Sequence, residues 1–283
     1  MNNVAAVSHS QSSVKIQVIA NKFGSSGIPK LLDGGQGTTY WSGEIILKPV
    51  GFLAESKEVA DIVSNLIESP FLNLPKAVKS INGNWVEDGY VAWNFVPGTE
   101  RQGYYSEKLK VCDCLCDVFA GLGKPKFLDL KNDEYMIADR VAWGEAERVY
   151  PPEQQEIIDL VKSKIRPVNL SSQIIHGDIS GNMVFTESGL PGVIDLTLYW
   201  RPRNFTKAIL LIDAITWEGA DPDIYDLVSN DPEIDQLLIR AALRRIVTGF
   251  EFVKSARRVD RNWETVFEQV QKYTNTLRVL NLL

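Results

Sequence analysis

The sequence predicts an α+β chain in two lobes, strand-rich over its first third and helical over most of the rest. Three observations carry this expectation. Up to about residue 97, short apolar and β-branched runs alternate with Gly, Asn and Asp turn signals. From about residue 104 onward, helical patterns run near 105–121, 152–165, 203–218, 233–253 and 262–281. One β-like patch, 174–195, interrupts those helices. The expected boundaries are a first lobe over 1–97, with 1–13 as a disordered tail, and a second over 98–283.

Taken in order, residues 14–23 (VKIQVIANKF) fit either a helix closed by Gly24 or a strand, and periodicity does not decide. The stretch LLDGGQGTTYWSGEIILKPVG reads as two or three antiparallel strands around a glycine-rich turn and a Ser42–Gly43 turn. Residues 54–67 place Val59, Ile62, Val63, Leu66 and Ile67 on one helical face. Two further strand-like runs surround the NGNW and EDG turns, and Pro97–Gly98 closes the β-rich part.

Bulk properties narrow the function classes. The 283 residues carry a net charge of −6 and no basic stripe, which argues against a nucleic-acid partner. No apolar run approaches the roughly 20 residues that a membrane span needs. The first residues lack the basic-then-apolar order of a signal peptide, and His9 there is expected to be idle. Cys112, Cys114 and Cys116 invite a metal reading. On a helix, however, Cys114 lies nearly opposite the other two, so the three read as reduced, packed thiols of a cytoplasmic protein.

The chemistry concentrates in IIHGDISGNMVF, residues 174–185, with LPGVIDLT shortly after. A hairpin between them would bring Asp195 close to Asn182 and to the loop that carries Asp178. Two carboxylates and an amide are hard oxygen ligands of the kind Mg²⁺ accepts alongside substrate phosphates. Upstream, Gly34, Gly35 and Gly37 would let backbone N–H groups approach phosphates with no Cβ in the way. Lys48, in the apolar IILKPV, calls for a phosphate or an acidic partner.

These residues, in this order, resemble the aminoglycoside phosphotransferase and choline kinase group, small-molecule kinases with the protein-kinase fold. The family's H-G-D-x-x-x-x-N loop resembles His176-Gly177-Asp178 and Asn182, and its I-D motif resembles Ile194–Asp195. Three residues, where the family has four, separate Asp178 from Asn182, so the loop must tighten at Gly181. The resemblance implies a phosphotransferase using ATP or GTP with Mg²⁺ on a small-molecule hydroxyl. Asp178 would orient and deprotonate the acceptor, and Asn182 and Asp195 would hold the metal. Lys48 would contact the α/β-phosphates, and the backbone of Asn94 and Val96 would bond the adenine. As the lysine's acidic partner Glu58 is preferred to Glu55, which follows Lys48 by only seven residues. His176 is read as a brace for the loop. The rival reading is a pseudokinase or nucleotide-binding module.

Residues 213–235 hold eight acidic residues and no lysine or arginine. They read either as a solvated surface with helix caps such as Asp221 and Asp231, or as a wall attracting a cationic acceptor, aminoglycoside- or choline-like. The acceptor's identity and the oligomeric state stay open at this stage.

Overall fold

The computed structural model describes residues 14–32, 37–255 and 263–283. The expected tail 1–13, with His9, lies outside the described residues. The chain forms two compact units, Met1–Thr99 with Val184–Ile194, and Glu100–Met183 with Asp195–Leu283. One is strand-rich and the other mainly helical, an α+β composition.

In the first unit, residues 14–22 are helical (α1). Ile16, Ile19, Ala20 and Phe23 recur at helical spacing and pack on Ile45, Leu47 and Ala92 of the sheet, which settles the ambiguity of that stretch. Gly24, at φ +76°, ends the helix. The strands are β1 (Lys30–Leu31), β2 (Tyr40–Ser42), β3 (Ile45–Pro49), β4 (Ala77–Val78), β5 (Val86–Glu87) and β6 (Tyr90–Asn94). Their order is β1-β2-β3-β6-β4, with β5 also on β6, and every pairing is antiparallel. Helix α2 (Leu53–Ser64) buries Val59, Ala60 and Val63. It stops short of the expected end. The Asn65 side chain bonds the Asp61 carbonyl at 2.8 Å, which leaves Ile67 outside the helix and 90% exposed. The hairpin of β8 (Met183–Phe185) and β9 (Pro191–Val193) belongs largely to this unit. Phe185 bridges Thr99, and a Cβ on Gly98 would lie 2.9 Å from the Phe185 backbone, so this close approach requires glycine.

The second unit contains α3 (Tyr105–Val118), α4 (Phe127–Leu130), α5 (Glu134–Ala142), α6 (Pro152–Lys162), α7 (Phe205–Trp217), α8 (Ile234–Ser255) and α9 (Trp263–Val279). A ladder of β7 (Ser172–His176) and β10 (Leu198–Pro202) crosses it. Sequence periodicity missed α4, α5 and β10. Helix α8 is buried on nearly all sides, packed by α5, α6, α7 and α9. On α3, Cys112 and Cys116 are buried while Cys114 is only partly so, the facing expected of a helix. Burial pushes the Cys116 thiol up to about 11, which makes it a packing group and not a nucleophile.

Candidate active site

The β7–β10 register builds the site. His176 pairs with Leu198, so the residues after β7 and those before β10 leave the same end of the ladder. Asp178 and Asp195 are therefore carried at one end. The Gly177 N–H donates to the Thr197 carbonyl at 2.8 Å and ties the two segments together. A Cβ at Gly177 would sit 2.0 Å from the Tyr199 ring, so only glycine fits there.

Past Gly177 the loop is braced from inside. His176 is fully buried, and its Nδ1 accepts the Asp178 backbone N–H at 3.0 Å. The Asn182 N–H donates to the Ile179 carbonyl at 3.1 Å, closing a four-residue turn with Gly181 at φ +74°. This left-handed glycine accommodates the shortened loop. The Asn182 side-chain amide donates back to the Asp178 carbonyl at 2.6 Å. Asp195 is exposed at φ +52°, a left-handed conformation that aspartate tolerates better than most residues. Such an outlier motivates a functional reading.

Helix α8 supplies what the motifs did not. Arg244 donates to the Gly177 carbonyl at 2.6 Å and stacks 4.3 Å from the Tyr199 ring. Arg245 donates to Asp178 Oδ1 at 2.8 Å, to Asp213 Oδ1 at 3.1 Å through Nε, and to Asp213 Oδ2. Burial acts to raise the Asp178 carboxyl, but the charge and hydrogen bond of Arg245, with Arg244 and His176, outweigh it and hold the group below its ordinary range. On the far side, Tyr273 donates to Asp213 at 3.0 Å and accepts from the Trp217 indole at 2.6 Å. Beside this network opens a cleft of about 300 Å³, lined by Ser180 and Gly181 of the loop, Arg245, Trp217, Tyr273 and three carboxylates, Glu100, Asp213 and Glu218.

No protein-family model and no curated protein sequence matches this chain. Solved structures do. A choline/ethanolamine kinase family protein from Mesorhizobium loti is similar at a TM-score of 0.62 and 13% identity, over 97% of each chain. A choline kinase from Streptococcus pneumoniae is similar at 0.62 and 10%, over 95% of this chain and 99% of that one. An aminoglycoside phosphotransferase from Alicyclobacillus acidocaldarius is similar at 0.53 and 14%, over 89% and 90%. This chain has the small-molecule kinase fold.

In the strand-rich unit of the kinase fold, Lys48 lies half-buried on β3 opposite Val91. Glu55 and Glu58 are both partly buried on α2. Asn94 ends β6, and its N–H donates to the Lys76 carbonyl at 2.8 Å. Val96, two residues on, is 8% exposed, and its N–H has no backbone acceptor among the described residues. Gly37 adopts φ +67°, whereas Gly34 and Gly35 lie outside the described residues.

The acidic segment proves to be mostly paired within the protein. Glu218 meets Lys108 at 3.3 Å and the Tyr105 hydroxyl at 3.1 Å. Asp213 meets Arg245, and Asp235 accepts from Tyr225 at 2.7 Å. Asp221 caps a short 3₁₀ turn as expected. The Asp231 carboxylate makes no cap hydrogen bond among the described residues; it is drawn instead to the buried Lys207 at 3.0 Å. Of the eight acidic residues, only Asp213 and Glu218 line the cleft.

Proposed function

We propose that the protein transfers the γ-phosphoryl group of a nucleoside triphosphate to a hydroxyl of a small molecule, with Asp178 as the group that acts on that hydroxyl. The observation that carries this reading is Asp178 itself. It is an ionised carboxylate on a braced loop next to an open cleft, and its Oδ2 accepts no hydrogen bond among the described residues. In the reaction, the acceptor oxygen bonds to the γ-phosphorus as the bond to the bridging oxygen breaks. The electron pair leaves with the nucleoside diphosphate, and the hydroxyl proton passes to Asp178 Oδ2. A carboxylate held below its ordinary pKa is a weak base. It therefore serves chiefly to orient the hydroxyl, which suits a loose transition state that needs little proton abstraction early.

Asn182 and Asp195 are the proposed metal ligands. With its nitrogen engaged by the Asp178 carbonyl, Asn182 keeps Oδ1 without a hydrogen bond among the described residues, a hard oxygen that fits Mg²⁺ together with the Asp195 carboxylate. When bound, the ion would neutralise charge on the phosphates. In the strand-rich unit, Lys48 is proposed to meet the α/β-phosphates, with Glu58 as its acidic partner. Gly37 and Gly35 are assigned to the phosphate-binding turn, and the Asn94 carbonyl and Val96 N–H to the adenine edge. Nucleotide use draws support from neighbours of the same fold, whose structures are complexes with GDP and kanamycin, ADP and hygromycin B, and AMP.

The acceptor is proposed to carry an amine. Trp217 already holds the Lys272 ammonium 4.5 Å from its ring centroid, and that exposed lysine can yield its place to a ligand cation. A thermal-shift series with ATP and GTP, with and without Mg²⁺, tests nucleotide binding, because a bound ligand raises the melting temperature by mass action. Transfer of labelled γ-phosphate to a panel of amino alcohols and aminoglycosides then tests the reaction. Nucleotide binding with no transfer to any acceptor would leave only the binding-module reading.

A further inference from the structure

We propose that Arg245 is a positioning residue for this reaction, holding one oxygen of Asp178 so that the other is aimed at the acceptor hydroxyl. The inference rests on the phosphotransferase reading and adds to it a residue that no motif marks. Its ground is the direction of the restraint. The guanidinium is a rigid planar fork, and here two of its nitrogens are fixed from behind by both oxygens of Asp213. Asp213 is itself buried on α7 and held by the Tyr273 hydroxyl from α9, which is held in turn by the Trp217 indole. Arg245 therefore cannot follow Asp178; Asp178 must come to it. Its Oδ1 is taken at 2.8 Å and Oδ2 is left over.

The charged and titratable groups around this pair come from four elements. Asp178 is faced by Arg245 and Arg244 from α8 and by His176 from β7. Arg245 is faced by Asp178, by Asp213 from α7 and by Tyr273 from α9, whose phenol burial keeps neutral by pushing its pKa up. Glu100 and Glu218 stand at the cleft wall. Two carboxylates share one guanidinium, so removing Arg245 alone would leave two anions facing each other. A structural ion pair would stabilise the fold and nothing more. A positioning pair must also fix the direction of the Asp178 carboxylate, so its loss should lower kcat while substrate binding is left in place.

The test uses the full chain with Asp213→Asn and Arg245→Gln combined, which removes one charge of each sign and leaves the partly exposed Asp178 as the remaining carboxylate of the network. Positioning predicts a fall in kcat of about 100-fold, as for a misaimed catalytic group, with nearly unchanged KM values for nucleotide and acceptor. Arg245→Lys, which keeps the charge and loses the fork, should restore only part of that kcat. A folded double variant with wild-type kcat overturns the proposal, and so does full kcat in Arg245→Lys, which marks a pair that supplies charge alone. If the wild type transfers phosphate to no acceptor, the function reading fails separately. Carbon-13 relaxation of the Asp178 carboxyl, assigned by its loss in Asp178→Asn, then decides on Arg245. A carboxyl equally ordered in wild type and double variant overturns it, and one that becomes mobile in the double variant sustains it.

Discussion

The loop 176–182 and the segment 213–235 both drew attention for their carboxylates, yet the two regions use them differently. In the loop, backbone constraints do the placing: a glycine under the Tyr199 ring, a left-handed Gly181 and a buried imidazole fix one carboxylate on a loop whose Ser180 and Gly181 line a cleft. In the segment, four of the eight carboxylates point back into the protein, toward Arg245, Lys108, Lys207 and the Tyr225 hydroxyl. Runs of like charge along a sequence therefore overstate the charge that a ligand meets. What counts is which carboxylates remain after the internal cations have been matched.

Substitutions in the two regions should therefore have different consequences. The largest effect is expected at Asp195→Ala, which should abolish the Mg²⁺-dependent part of nucleotide affinity. Asn182→Ala should act more weakly in the same direction, since an amide offers the ion a dipole where a carboxylate offers a full charge. Titrating Mg²⁺ against nucleotide affinity measures both, and an unchanged dependence in Asp195→Ala removes the metal role. Next, Asp213→Ala takes from the buried Arg245 guanidinium one of its two carboxylates, leaving only Asp178, and should cost up to about 3–5 kcal/mol in urea unfolding, the range for a broken buried pair. A loss near zero would mean that the segment's carboxylates are ornamental even when buried.

Smaller still, Trp217→Ala should raise the KM of an amine-bearing acceptor several-fold, the effect of about 0.5–2 kcal/mol of cation–π attraction, with the nucleotide KM unmoved. Equal changes in both constants would count against an aromatic acceptor wall. Reversing Asp221 and Asp223 to lysine should leave the KM values of acceptor and nucleotide almost unchanged, because neither residue lines the cleft. A several-fold, salt-sensitive rise in acceptor KM would restore the electrostatic wall.

The sequence made much of this legible. The antiparallel strands, α2, α3 and the long C-terminal helices follow from periodicity and turn chemistry, and the HGD loop from its motif. Helix α5 escaped because its EYMIADRVA turns a charged pair, Asp139 and Arg140, into a largely buried stretch. Asp139 is buried on purely tertiary grounds: its Oδ2 accepts from Arg201 Nε at 2.9 Å and from Arg201 Nη2 at 2.5 Å. β10 escaped because LYWRP carries that same arginine, which reads as a solvent residue until its carboxylate partners are in place. Arg244 and Arg245 had a signal, two adjacent arginines amid the apolar LIRAALRRIVTGF, since buried cations require partners. Which partners they take is a matter of three-dimensional neighbours, and no spacing along the chain encodes that.

The role of Asp178 is tested by a paired measurement on Asp178→Asn, comparing phosphoryl transfer with nucleotide binding in the same preparation. The substitution keeps the size of the side chain and the loop's backbone bonds while removing the charge that would receive the proton. Loss of a group that orients the hydroxyl and receives its proton lowers rates by about 100- to 10,000-fold, and a fall of that order in kcat is expected with nucleotide affinity nearly intact. Turnover at the wild-type rate would contradict it, because the hydroxyl would then be activated by some other group.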